Sequence, residues 1–178
     1  MSYSGSDRIV LSNREAQISR FRAWVMLVVP LAAILFQVYV PLFFSYLGYL
    51  EMPLLVVVYF SLMRRSQIHG ILIGALVGLA QDSLTPKNPL GMFGIIKTLV
   101  GYFAASVSLR FDVDNLFVRL LLAFFFFVFH EFFHWVMGRA LLNQQVAFEL
   151  QRTLVIGLLN SLVGVSLFHF LDKLRQTA

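Results

Sequence analysis

A chain of 178 residues with 59% hydrophobic and 13% charged side chains and a mean hydropathy of +0.80 is not composed like a soluble domain, where about 45–50% and about 25% are usual. The net charge of +5 does not mark a nucleic-acid surface, because the basic residues lie scattered at the ends of apolar runs, as topology signals do. With no cysteine, disulfides, thiolate zinc sites and a cysteine nucleophile are excluded.

Residues 1–22 are polar and basic and read as a cytoplasmic tail. Ser12 and Glu15 form an S-x-x-E capping box, and Ile18 and Phe21 suggest a short helix at the membrane surface. Arg20 and Arg22 precede an apolar run as in a signal peptide, but no A-x-A-like site closes it. It therefore reads as a retained first helix. The rest, residues 23–178, reads as one all-α domain, a polytopic bundle of six transmembrane helices. A spanning helix needs about 20 apolar residues. The first is expected over residues 23–44, with Pro30 as a kink. The second ends at Met63; Pro53 looks like its start, so it either includes residues 46–50 or is a partial helix. The third to sixth are expected over residues 68–84, 90–109, 116–138 and 152–171. With both termini cytoplasmic, ten Lys and Arg fall inside and three outside (Lys87, Arg139, Arg152), a bias that supports an even number of spans. The loops are too short to hide a soluble domain.

The densest pattern is "GILIGALVGLAQDSLTPKNPLGMFGIIKTLVGYFAASV", residues 70–107. Gly70, Gly74 and Gly78 recur every four residues, a spacing that lets another helix backbone approach closely. Gly78-Leu79 and Asp82 are followed by a turn, then Pro89-Leu90-Gly91, then an apolar helix with Gly101-Tyr102. In order and spacing this block resembles the bacterial rod shape-determining protein MreD family, and the length and six-helix plan agree. The preceding stretch with Pro53, Tyr59 and Arg64-Arg65 fits the family's second helix and basic turn. The resemblance implies a non-enzymatic inner-membrane component of the cell-elongation machinery, working with MreC, the actin-like MreB, the polymerase RodA and a class B penicillin-binding protein. It also implies a fold similar to the substrate-binding S components of energy-coupling-factor transporters.

Two features fall outside that resemblance. His130-Glu131-Phe132-Phe133-His134 matches H-E-x-x-H, in which two histidines one turn apart share a zinc and the glutamate is the general base. A catalytic zinc usually needs a third protein ligand. His169 and Asp172 belong to the sixth helix, where His169 lies roughly 25 Å from the outer end, more than about 10 Å too deep. Glu51, Asp82 and Glu149 remain as outer-side carboxylates, but none sits in a protease motif. The second feature is Lys97. Counted from opposite helix ends, Lys97 and Glu131 both lie about 10 Å below the outer surface. Because an unpaired charge in hydrocarbon is costly, they are expected to face each other as an ion pair between the fourth and fifth helices.

Smaller expectations complete the reading. Asp114 is taken as the N-cap of the fifth helix, His69 as interfacial, and His169 as lying near the inner end of the sixth helix. Gly157, Ser161 and Gly164 read as packing, while Gln37 and Asn160 should hydrogen-bond across helices. Phe124–Phe127, Phe132, Phe133 and Trp135 read as lipid-facing bulk or a partner surface. The functional expectation is a scaffold with no catalytic residue, metal or cofactor, contacting lipid and protein but no nucleic acid. The alternatives are a small-molecule or lipid-binding module like a transporter S component, and an intramembrane zinc protease.

Overall fold

The structure, a computed structural model, describes residues 20–85, 89–143 and 147–176. The capping box and surface helix expected before residue 20 lie outside the described residues. Six α-helices follow: α1 (Ala23–Phe43), α2 (Met52–Arg64), α3 (Gln67–Leu84), α4 (Met92–Val107), α5 (Leu116–Leu142) and α6 (Leu150–Asp172). A short 3-10 turn, Ser45–Tyr49, joins α1 to α2. Three stretches are long and apolar enough to cross a membrane: Trp24–Phe43 of α1, Leu116–Leu142 and Leu150–Asp172. Pro30 and Pro41 both lie inside α1.

The second helix is the partial one. At 13 residues α2 measures roughly 20 Å, short of the roughly 30 Å hydrocarbon thickness, and the residues before it form the Ser45–Tyr49 3-10 turn rather than its first turn. Its sequence "PLLVVVYFSLM" is apolar all round, which suits a helix with no solvent or lipid face. Pro53 through Met63 are buried without exception, and α2 packs against α1, α3, α4, α5 and α6. The other helices are arranged around it. Proline near its start supplies a residue that needs no amide partner there. Arg65 in the left-handed conformation ends it, with φ of 50°.

The chain's two described ends meet. Arg20–Phe21 (β1) and Arg175–Gln176 (β2) form a two-residue antiparallel ribbon, in register Arg20 to Gln176 and Phe21 to Arg175. Residues 20 and 176 therefore lie at one end of the bundle. Phe21 packs edge-on against Tyr59 and Phe60, which ties the ribbon to the core.

The N-cap of α5 is Asn115, whose side chain accepts from the Phe117 amide at 2.9 Å, not Asp114. Asp114 is drawn away by two guanidiniums, Arg119 at 3.3 Å and Arg175 at 3.4 Å. The aromatic run in α5 is divided between two environments. Phe125 and Phe132 are exposed, as lipid-facing or partner-facing residues would be, but Phe126 and Phe127 are core. Gly157 sits against the Phe124 and Phe127 rings and Gly164 against Leu55, so both are packing positions.

Candidate functional site

The glycine stripe brings α3 and α4 into backbone contact. A Cβ placed on Gly70 would lie 2.2 Å from the Gly101 carbonyl oxygen, one on Gly74 2.1 Å from that of Lys97, and one on Gly78 2.4 Å from that of Phe93. Real Cβ atoms do not approach this closely, so only glycine lets the two helices lie this near each other. The fit is reciprocal at Gly101, where a Cβ would meet the Gly70 carbonyl oxygen at 2.1 Å.

Asp82 closes the same hairpin. Its side chain is almost fully buried and accepts three backbone N–H groups at the start of α4: Gly91 at 3.0 Å, Phe93 at 3.1 Å and Gly94 at 3.0 Å. A helix start leaves amides unpaired and carries a partial positive charge, so a carboxylate there is favoured both as acceptor and as anion. The cap comes from the preceding helix and not from the residue before α4, because that position is Gly91 at φ 97°, a conformation suited to glycine. The block therefore has one physical reading. Gly78 permits the approach, Asp82 caps, Gly91 turns the chain and Gly101 seats against Gly70. The Pro89 carbonyl accepts from the Met92 amide at 3.3 Å. Leu90 and Tyr102 lie on the outside of the hairpin.

Lys97 is fully buried one turn further along α4, where Gly74 passes over its carbonyl. Its ammonium lies 3.8 Å from Glu51 Oε2 and 3.4 Å from His130 Nε2, and 4.5 Å from the centre of the Phe93 ring. The expected direct pair with Glu131 is not formed; the carboxylate at Lys97 is Glu51. Successive residues of a helix point about 100° apart, and on α5 it is His130 that faces α4. Glu131 instead accepts from His130 Nδ1 at 3.2 Å and remains one-third exposed. Lys97, His130 and Glu131 thus form a relay in which the histidine stands between the two charges.

Glu51 reaches this point because α2 starts there. Its amide donates to Asn160 Oδ1 at 2.8 Å, and the next amide, of Met52, donates to Gln37 Oε1 at 3.2 Å. Asn160 also donates to the carbonyls of Tyr49 and Ile156. The two polar residues expected to bond across helices do so, and both hold the residues from Tyr49 to Met52. An acidic side chain just before α2 is also favoured by the helix dipole.

The HEFFH histidines are placed for stacking. Both rings lie against Phe93, with centroids 5.9 Å away for His130 and 5.3 Å for His134. The two nitrogens of His130 face Glu131 and the Lys97 ammonium. A cation beside one nitrogen opposes a second cation there, and the motif's glutamate is turned to its own neighbour. His169 is at the far end of α6 and exposed, and no group of three His, Asp or Glu suited to a metal occurs among the described residues.

A second polar cluster stands at the end carrying the β1–β2 ribbon. Arg119 is buried; it donates from Nε to the Val113 carbonyl and pairs with Asp172 and Asp114. Tyr59 donates its hydroxyl to the other oxygen of Asp172 at 2.9 Å. Arg119, one of the ten basic residues expected on the inner side, ties α5 to α6. Its position three residues inside an apolar run, with an aspartate at the matching end of the last helix, is the signal that could have marked it. His69 lies at the start of α3, its Nδ1 2.9 Å from Ser66 Oγ.

The fold and these sites define a helical membrane protein whose inward polar residues are spent on joining helices. The family model described as rod shape-determining protein MreD matches residues 18–177, and the chain belongs to that family. No curated protein and no solved structure matches the chain.

Proposed function

We propose that this chain is a non-enzymatic scaffold of the cell-elongation machinery, a multi-pass protein of the bacterial inner membrane with both termini in the cytoplasm. It would help to position or activate peptidoglycan synthesis along the cell cylinder. The observation that carries the reading is the family match over residues 18–177. Burial agrees with it. Trp24, Leu27, Leu31 and Leu42 of α1 and Leu121 and Phe125 of α5 point outward, so the bundle presents apolar helix faces and little else. MreC is the most expected direct partner, with MreB, RodA and a class B penicillin-binding protein in the same assembly. The paired ends of the chain suit termini on one side. The engaged nitrogens of His130 speak against the protease.

The cavity described below favours a second reading, a small-molecule or lipid-binding module in the manner of a transporter S component. Co-purification of the tagged, detergent-solubilised chain separates the two. Recovery of MreC supports the scaffold. Recovery of an ATPase module and a transmembrane coupling subunit in its place overturns it.

A further inference from the structure

At the end of the bundle opposite the β1–β2 ribbon, a cavity of about 370 Å³ opens between the 3-10 turn, α5 and the start of α6. Its size is that of a small-molecule site, where about 300 Å³ is a usual lower bound. Charge is sorted along it. The inner part is lined by Glu51, Glu131 and His134, all partly or largely shielded, while Arg139 and Arg152 line it and are exposed at its mouth. His134 keeps a buried nitrogen, Nε2, with no hydrogen-bond partner, and Glu51 Oε2 meets only the Lys97 ammonium at 3.8 Å, so the bundle does not use all the polarity it places there.

The mouth is equally unspent. Arg139 has no acidic partner among the described residues and stands 5.8 Å from the Trp135 ring centre. Arg152 stands 5.7 Å from that of Tyr49 and pairs with Glu149 at 3.3 Å. Both members of that pair are more than half exposed, and such surface pairs contribute little, so an incoming anion can exchange with Glu149. The aromatic rings hold the two guanidiniums over the opening.

Of the floor charges, Glu51 is offset by Lys97, which is fully buried and does not line the cavity. One carboxylate charge therefore remains for a ligand. A ligand that satisfies both ends is a zwitterion that enters cation first. The spacing sets its size. Glu131 and Arg139 are eight residues apart on α5, about 12 Å of rise. With a charge-assisted contact of about 3 Å at each end, the ligand's two charges lie well inside that rise, a few atoms apart. Two guanidiniums match the several oxygens of a phosphate better than a single acceptor. Carboxylates and an unfilled histidine nitrogen match a primary ammonium, whose N–H groups can donate, better than a quaternary one.

We propose that this cavity binds a primary ammonium joined to a phosphate by a short linker, with the ammonium at Glu131 and the phosphate at Arg139 and Arg152. The ethanolamine phosphate unit has this chemistry, either as a lipid headgroup or as a free molecule. The assignment rests on the second reading, that the bundle holds a ligand, and is independent of whether MreC co-purifies.

The test uses the full chain. Native mass spectrometry on protein from micelles doped equally with phosphatidylethanolamine, phosphatidylcholine and phosphatidylglycerol reads lipid retention, and calorimetry with soluble phosphoethanolamine reads the free form. The expected result is preferential retention of phosphatidylethanolamine, reduced at least tenfold in Glu131→Gln and Arg139→Gln and unchanged in Phe125→Leu. Micromolar binding of phosphoethanolamine without lipid retention assigns the site to the free molecule. Preference for phosphatidylcholine or phosphatidylglycerol, equal retention by the Arg139→Gln protein, or binding of neither form overturns the proposal. Arg139 is exposed, so its variant stays informative if Glu131→Gln does not fold.

Discussion

Gly74→Ala adds a single methyl group, and the structure says where it goes. The new carbon would sit 2.1 Å from the Lys97 carbonyl oxygen, 2.6 Å from the carbonyl carbon and 2.9 Å from the Thr98 Cα. All three are backbone, so no side-chain rotation relieves the clash. To reach ordinary contact, α3 and α4 must part by more than about 1 Å. That movement also draws Asp82 off the α4 amides, because bonds of 3.0–3.1 Å stretched by that amount are no longer hydrogen bonds. Overpacking costs about 1–3 kcal/mol, and rigid surroundings put this case at the upper end. Alanine returns about 1 kcal/mol of helix propensity. The expected net loss is about 2 kcal/mol, or a fall of about 4–8 °C in Tm for a chain of this size. Thermal unfolding in one detergent measures it. Gly164→Ala is the sharper control, since there the nearest atom is the movable end of Leu55, at 3.0 Å; Phe125→Leu tests an outward site. A Gly74→Ala protein that melts with the wild type, or with Gly164→Ala, refutes the close-contact argument.

Three further outcomes follow from the polar sites. Asp82→Ala should lower stability by about 2 kcal/mol, since it strands three amides at once, and its effect should be less than additive with Gly74→Ala. In double-mutant cycles read by unfolding, Lys97→Met with Glu51→Gln should show a coupling of about 1 kcal/mol or more, exceeding that of Lys97→Met with Glu131→Gln; the reverse order would return Lys97 to Glu131. Arg119→Met should cost about 2–3 kcal/mol by leaving Asp172 without its cation, whereas Arg152→Met should melt with the wild type, and equal losses would mean that Arg119 is not the tie between α5 and α6.

The helix count and most boundaries were legible because a continuous apolar run and its polar breaks do not depend on partners. Glycine spacing likewise announced a close approach, and Gln37 and Asn160 announced bonds across helices. What could not be read was direction around the helix axis. Lys97 and Glu131 lie at matching depths, which rise per residue predicts, but the rotation that turns His130 inward is set by packing of the whole bundle. Glu51 was invisible as a partner for the same reason: it lies at a helix start, and nothing local says that this start points toward α4. Asp82 was recognised as a motif residue without its role, because its three partners follow nine to twelve residues later across a turn. The interior position of α2 was half visible, in a run apolar on every side.

The placement of α2 also sets an order of events. This helix is the second of the six described, yet α6, the last of them, supplies groups at its start and along its length. Asn160 receives the Glu51 amide, Asp172 receives the Tyr59 hydroxyl, and Gly164 makes room for Leu55. Until α6 has been made, a helix too short to cross the bilayer alone lacks the partners that Asn160 and Asp172 provide. Packing helix by helix from α1 would therefore leave α2 without these contacts until α6 arrives. A chain truncated before residue 160 would lose contacts at its centre as well as its last helix.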